Sequence, residues 1–279
     1  MNETDITIRN ISTIDEIHAV EELQRQTWGG NDVTPMTNLV ASIEVGAILI
    51  GAFDGEKMVG FIYGFVGQYH NEFEIHSHML AVNPEYRSHK LGEKLKWAQR
   101  EEALAKGFKK MSWTFDPLQS VNAHLNLHKL GCIADEYKIN YYGEGEQNEL
   151  HRGIGTDRLW VTWLLDSDHV IAKSNQEVND SSLSQDAFAL IEFNDDGKPA
   201  CVLFDETISA SHLLIDIPRD ILKLREENLP LALDWRTATR KAFTKAFSVG
   251  YYVTDYIRNK ANREIGGSFV LKPKESPFR

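Results

Sequence analysis

Glu74-Ile-His-Ser-His-Met-Leu-Ala-Val-Asn-Pro-Glu-Tyr-Arg-Ser-His-Lys-Leu-Gly92 changes its period halfway along, and that change organises the reading of the whole chain. From Phe73 to Val82 the pattern alternates. This predicts a strand with Phe73, Ile75, Met79 and Ala81 on one side and Glu74, His76 and His78 on the other. Asn83-Pro84 ends it, because proline cannot donate to a ladder and holds the residue before it extended. Leu91, Leu95 and Ala98 then recur at helical spacing, with Gly107 as a left-handed stop. Two imidazoles therefore sit just upstream of a polar turn that opens a helix. Backbone N–H groups at such a turn attract phosphate through hydrogen bonds and the helix dipole.

Charge points the same way. Residues 87–110 hold eight Lys or Arg against three Glu, in a chain whose formal net charge is −11. A short basic segment in an acidic protein suits an anionic cofactor better than nucleic acid, which needs a broad basic surface. The bland alternative is a solvated helix face.

Working outward, 279 residues with 42% hydrophobic and 25% charged content describe a globular chain able to bury one large core or two ordinary ones. Cys132 and Cys201 have no metal-type spacing and give no disulfide framework, which is expected of a reducing, cytoplasmic setting. The N-terminus has no signal-peptide pattern, and no apolar run is long enough to span a membrane. Upstream, Ile6–Arg9 reads as a strand, and Ser12 or Thr13 caps a helix to about Thr27. A short helix follows Pro35, and Asp54-Gly55 joins two strands. Downstream, strands are expected at Lys110–Phe115, Ile133–Tyr142 and Leu159–Leu165, with a helix through Val121, Leu125 and His128 closed by Gly131. Residues 166–186 are polar and turn-rich, a linker or crossover. Beyond them come a hairpin around Asn194-Asp-Asp-Gly-Lys-Pro199, a strand at Leu213–Ile217, helices either side of Pro230, and strands at Tyr251–Ile257 and Ser268–Leu271. The sum is an α/β fold, a mixed sheet flanked by helices with a smaller C-terminal α/β domain.

The run Leu80–Gly92 resembles the acyl-CoA signature of the GNAT superfamily of N-acyltransferases, a strand entering a helix through an Arg/Gln-x-x-Gly-x-Gly/Ala turn. Arg87 and Gly92 match its ends, and Lys90 stands where the first glycine is usual. His76-x-His78-x-Leu80-Ala81-Val82 is similar to the two-histidine strand of arylalkylamine N-acetyltransferases, and Trp113 to Gly131 resembles a longer, two-domain GNAT group. The resemblance implies a catalytic, acyl-CoA-binding domain over residues 1–165, with residues 187–279 shaping the acceptor side or an interface. It implies that the main chain of Leu80 and Val82 holds the acyl carbonyl and pantetheine. Arg87, Ser88, His89, Lys90, Leu91 and Gly92 would hold the pyrophosphate, and Asn122 matches the family asparagine. The family's tyrosine acid aligns with Leu127, so the proton donor stays open among His128, Tyr137, Tyr141 and Tyr142.

Amine acylation by a thioester needs a base, an oxyanion site and no metal. His78 and His76 are the candidate bases, since imidazole titrates near neutrality, and Glu74 either orients them or is the base itself. The bland reading makes one histidine structural; a zinc reading of His-x-His finds no third ligand at a recognisable spacing. Asp116 faces the acceptor or caps the next helix. Arg152, Arg158, Arg236 and Arg240 hold an acceptor carboxylate or form internal ion pairs. The expected activity is transfer of an acetyl group, or another acyl group, from CoA to a small-molecule amine or an amino acid, with no nucleic acid or membrane partner. N-succinyl transfer and a non-catalytic acyl-CoA-binding module are the alternatives. Trp235 belongs to a private core or to a homodimer interface.

Overall fold

The computed structural model describes residues 6–29, 33–143, 153–177, 186–202, 210–259, 261 and 264–274, and resolves into two compact units. Of the described residues, the first holds those up to Trp113 together with Leu164–Ser167, and the second holds the others from Thr114 onward.

In the first unit, β1 (Ile6–Asn10) leads to α1 (Ile14–Trp28), which starts where Thr13 and Glu16 form a reciprocal capping box. After α2 (Met36–Glu44) come β2 (Ile48–Asp54) and β3 (Lys57–Tyr69), joined at Gly55, whose φ of 60° is the conformation this tight turn requires. Then follow β4 (Glu72–Val82), a 3-10 helix (Pro84–His89), α3 (Leu91–Ala105) and β5 (Lys110–Phe115). The strand order is β1-β2-β3-β4-β5, antiparallel except for the parallel β4/β5 pair. Ile17, Val20 and Leu23 of α1 and Leu39 of α2 bury against Leu49, Phe53, Phe61, Met79 and Ala81 of the sheet. Each such side chain contributes on the order of 2 kcal/mol through apolar area removed from water. The other face is covered by α3, whose Leu91 and Leu95 are buried.

In the second unit, α4 (Ser120–Ala123) passes directly into a π-helical turn (His124–Lys129), and the predicted helix over this stretch is therefore wider in its last turns. Next come β6 (Ile133–Lys138), β7 (Arg158–Leu164), and α5 (Asp168–Ser174), which lies inside the polar stretch 166–186; residues 178–185 of that stretch are outside the described residues. The chain continues through β8 (Phe188–Ala189), β9 (Ile191–Phe193), β10 (Pro199–Cys201) and β11 (Leu213–Pro218). It closes with α6 (Ile221–Glu227), α7 (Leu229–Ser248), β12 (Tyr251–Arg258) and β13 (Ile265–Pro273). The order here is β7-β6-β12-β13-β11-β8, with β9 and β10 as a separate hairpin. Phe243 of α7 meets Phe269 edge-on at 5.0 Å, and Trp235 packs edge-on against Phe193 at 5.8 Å. Trp235 is 4% exposed, so it belongs to this unit's own core. Both units mix strands and helices, as the α/β expectation requires. No helix among the described residues is long and apolar enough to cross a membrane.

Candidate active site

One irregularity in β4 shapes the site. Tyr63 pairs with Met79 and Gly64 with Ser77, so His78 is an extra residue with no opposite number on β3. Such a bulge shifts the alternation by one. Met79 and Ala81 join the core beneath α1 and α2, whereas Ser77 bonds to Gln99 and Lys96 of α3. Ile75 also lies on the α3 side, since a Cβ on Gly64 would meet Ile75 Cγ2 at 2.9 Å and Gln99 Nε2 at 2.8 Å. The expectation that Ile75 shares a face with Met79 and Ala81 is therefore corrected. Strict period 2 cannot register an inserted residue.

His76 and His78 point to the same side, each against Phe65, with ring centroids 5.4 and 5.7 Å away, and lie 6.4 Å from each other. Burial, then the charges of His78 and Lys96, lower the pKa of His76 to about 4. His78 is exposed along one edge, yet the protein around it lowers its pKa too. Both imidazoles are neutral at pH 7 and able to accept a proton. Glu74 does not contact either ring directly. It is 1% exposed, accepts from Ser112 Oγ, and lies 3.3 Å from Lys110 Nζ; Ser112 Oγ is in turn 3.2 Å from His76 Nδ1. β4 and β5 pair at Ile75↔Met111 and His76↔Ser112, so Ser112 sits at the end of the recorded pairing.

A second buried group lies on the α3 side. Lys96, 3% exposed, donates to Ser77 Oγ at 2.8 Å and stacks over the Trp113 ring at 3.3 Å, which offsets part of the cost of burying an ammonium. Arg100 is buried as well and donates to Leu165 O at 2.8 Å. The basic run is thus not wholly a solvated face. Sequence reasoning missed Ser112, Ser77, Lys96 and Gln99, because each pairs with a residue at least 19 positions away.

Past β4, Asn83 Oδ1 accepts from the Glu85 N–H at 3.0 Å and starts the 3-10 helix. Lys90 then takes a left-handed conformation, φ 55° and ψ 26°, and α3 begins with no side-chain cap. A glycine adopts that conformation more cheaply, so a turn of this shape is where one would be expected. Arg87, Lys90 and Lys94 are exposed around the turn, His89 is half-buried with Nδ1 3.2 Å from Tyr86 O, and Leu91 is buried. A Cβ on Gly92 would meet only Leu80 Cδ2, at an ordinary 3.6 Å, so the protein itself does not demand glycine there. Leu80 and Val82 are half-buried at the end of β4. An uncapped helix start ringed by cations, with room above Gly92, fits an anionic cofactor. Asn122 is exposed on α4, in the second unit.

Of the other candidates, Asp116 and Arg236 form a bidentate ion pair at 2.9 and 2.7 Å, 2% and 3% exposed, and Asp116 Oδ1 also accepts from Leu118 N. Arg240 is held the same way by Asp157, which also accepts from Tyr137. Both arginines are engaged by internal carboxylates. Arg158 is buried, with its guanidinium 5.0 Å from the Tyr142 ring; Arg152 lies outside the described residues. His128 Nδ1 is 3.1 Å from Asp255 Oδ1 and stacks on His124 at 4.8 Å, while Leu127 is fully buried. No group of three or more metal-ligating side chains occurs among the described residues.

The chain is similar in fold to a NatC complex bound to Gag peptide and CoA (14% identity, 57% of this chain and 98% of that one, TM-score 0.47). It is similar to the ribosomal-protein-S18-alanine N-acetyltransferase of Escherichia coli (17%, 58% and 95%, 0.46) and to the aminoglycoside 6'-N-acetyltransferase of Enterococcus faecium (17%, 58% and 98%, 0.44). No curated protein matches it in sequence. Residues 17–131, which include the bulged strand, the cationic turn and α3, match the family model of the acetyltransferase (GNAT) family.

Proposed function

We propose that the protein is an acyl-CoA-dependent N-acyltransferase, with acetyl-CoA as the default donor and a small-molecule amine as acceptor. The observation that carries this reading is continuity: the strand bearing two neutral imidazoles runs through Asn83 into an uncapped, cation-ringed helix start. The family match over residues 17–131 supports it. In this reading the amides from Ser88 to Gly92 bind the pyrophosphate, assisted by Arg87, His89 and Lys90. The main chain of Leu80 and Val82 holds the acyl arm, and Leu91 anchors the turn in the core.

The acceptor ammonium gives one proton to His76 or His78, directly or through water, and the neutral amine attacks the thioester carbon. The C–S bond breaks, and the second proton of the now cationic nitrogen passes through water to the departing thiolate, leaving the amide and CoA thiol. With leucine at position 127, the thiolate departs without the family's tyrosine, which its weak basicity allows. Residues 187–279 are assigned to the acceptor side or to an interface. Arg236 and Arg240 are already paired with internal carboxylates, so neither is available to a carboxylate-bearing acceptor.

The test is a thermal-shift titration with acetyl-CoA, succinyl-CoA and free CoA on wild type, Gly92→Ala and Gly92→Trp. A ligand at a hundred times its Kd stabilises the folded state by about 2.7 kcal/mol, several degrees in Tm. All three are expected to stabilise wild type, and Gly92→Trp is expected to lose the shift. Gly92→Ala, which the protein alone accommodates, separates lost ligand space from lost folding. A preference among the esters names the donor. Absence of any shift in wild type sinks the reading.

A further inference from the structure

We propose that Ser112 is a positioning residue of this site: its hydroxyl donates a hydrogen bond to Glu74 and accepts one from Nδ1–H of His76, fixing His76 in the tautomer whose lone pair is on Nε2. A serine hydroxyl has one hydrogen to give and two lone pairs to receive with. Glu74 as a carboxylate can only accept, and Ser112 Oγ donates to its Oε1. That hydrogen is then spent. The contact between Ser112 Oγ and His76 Nδ1, 3.2 Å, therefore needs a hydrogen on the imidazole side. A neutral ring carries one N–H, so Nε2 is left as the acceptor.

Every atom involved is anchored. Ser112 is fully buried on β5 and Glu74 nearly so, with Lys110 Nζ 3.3 Å from its second oxygen. The parallel pairing His76↔Ser112 fixes the two backbones side by side. Phe65 flanks the imidazole, limiting its rotation. Glu74 thus acts on His76 through a hydroxyl rather than by direct contact, and a carboxylate that orients a base through an intermediary stabilises the imidazolium less than one bonded to it. This arrangement fits a base that must pass its proton on rather than keep it. The catalytic use of Nε2 rests on the acyltransfer reading above; the tautomer itself does not.

The experiment uses the full chain with 15N-labelled histidine, the His76 signals being assigned with a His76→Gln variant. Long-range proton–nitrogen correlation at pH 7 distinguishes the two neutral tautomers. Wild type is expected to show Nδ1–H at His76. Ser112→Ala is expected to move the population towards Nε2–H. Glu74→Gln, which keeps the buried volume while letting the hydroxyl turn, is expected to mix the two forms. In turnover with an acyl-CoA, Ser112→Ala is expected to lower kcat by about 10-fold or more with the KM for the acyl-CoA unchanged. Nε2–H in wild type, or a tautomer that Ser112→Ala and Glu74→Gln both leave in place, overturns the proposal. If CoA esters do not bind at all, the acyltransfer reading falls while the tautomer measurement still decides the role of Ser112.

Discussion

Removing Arg236 tests the account of the second unit most sharply. Its guanidinium gives two parallel bonds to Asp116 and a third, 3.0 Å, to Ile154 O, and both charged groups are almost wholly out of water. Burial alone would lower the pKa of Arg236, but the charge and hydrogen bonds of Asp116 raise it above the usual arginine value. Taking away one partner strands the other, and a stranded buried charge costs about 3–5 kcal/mol. Arg236→Met and Asp116→Asn are each expected to lose that much, while the double variant, with no stranded charge, is expected to lose clearly less than their sum. In urea unfolding followed by the fluorescence of the six tryptophans, a slope of about 3 kcal/mol/M turns the cost into a midpoint lowered by about 1–1.7 M. The reasoning is refuted if Arg236→Met keeps its midpoint but loses affinity for a carboxylate-bearing acceptor, because the guanidinium would then serve the ligand.

Three more expectations follow from the site. With the pKa of His76 lowered to about 4 from 6.5, the folded protein binds fewer protons than the unfolded chain in that window, so stability rises from pH 4 to pH 6.5. The ceiling is about 3 kcal/mol for this group, less where water reaches the ring, and His76→Gln should flatten the dependence of Tm on pH. A slope equal to wild type would place the effect elsewhere, for instance at His124, whose pKa burial lowers to about 3. Lys96→Met removes one of the charges that hold His76 down, after burial and His78, so an NMR titration should find the His76 pKa raised; no change would discard that coupling. Gly64→Ala puts a Cβ 2.9 Å from Ile75 Cγ2 and 3.1 Å from His76 O at the bulge, and should destabilise by about 1–3 kcal/mol in urea unfolding. A neutral result would mean that the bulge gives way.

Much of the framework can be read from local pattern. Thr13 and Glu16 announce the start of α1, Asp54-Gly55 marks the β2/β3 turn, and Asn83-Pro84 separates β4 from the helical stretch, because each signal acts within four residues. The π-helical turn at His124–Lys129 gives no such signal; a widened helix keeps the same spacing of apolar residues in sequence. In sequence Arg236 can serve an acceptor carboxylate or an internal one, and its partner Asp116 is not legible there because it lies 120 residues away.

Local pattern carries most of the order of strands and helices, though not α5 inside the polar stretch 166–186, together with the concentration of positive charge from residue 87 on and the two histidines before the turn. Those properties reside in side-chain period and composition. Long-range pairing alone makes His78 the bulged residue, brings Glu74 to His76 by way of Ser112, and buries Lys96 over Trp113. Register, burial and hydrogen-bond direction depend on which distant strand arrives alongside, and a single chain read in order does not contain that information.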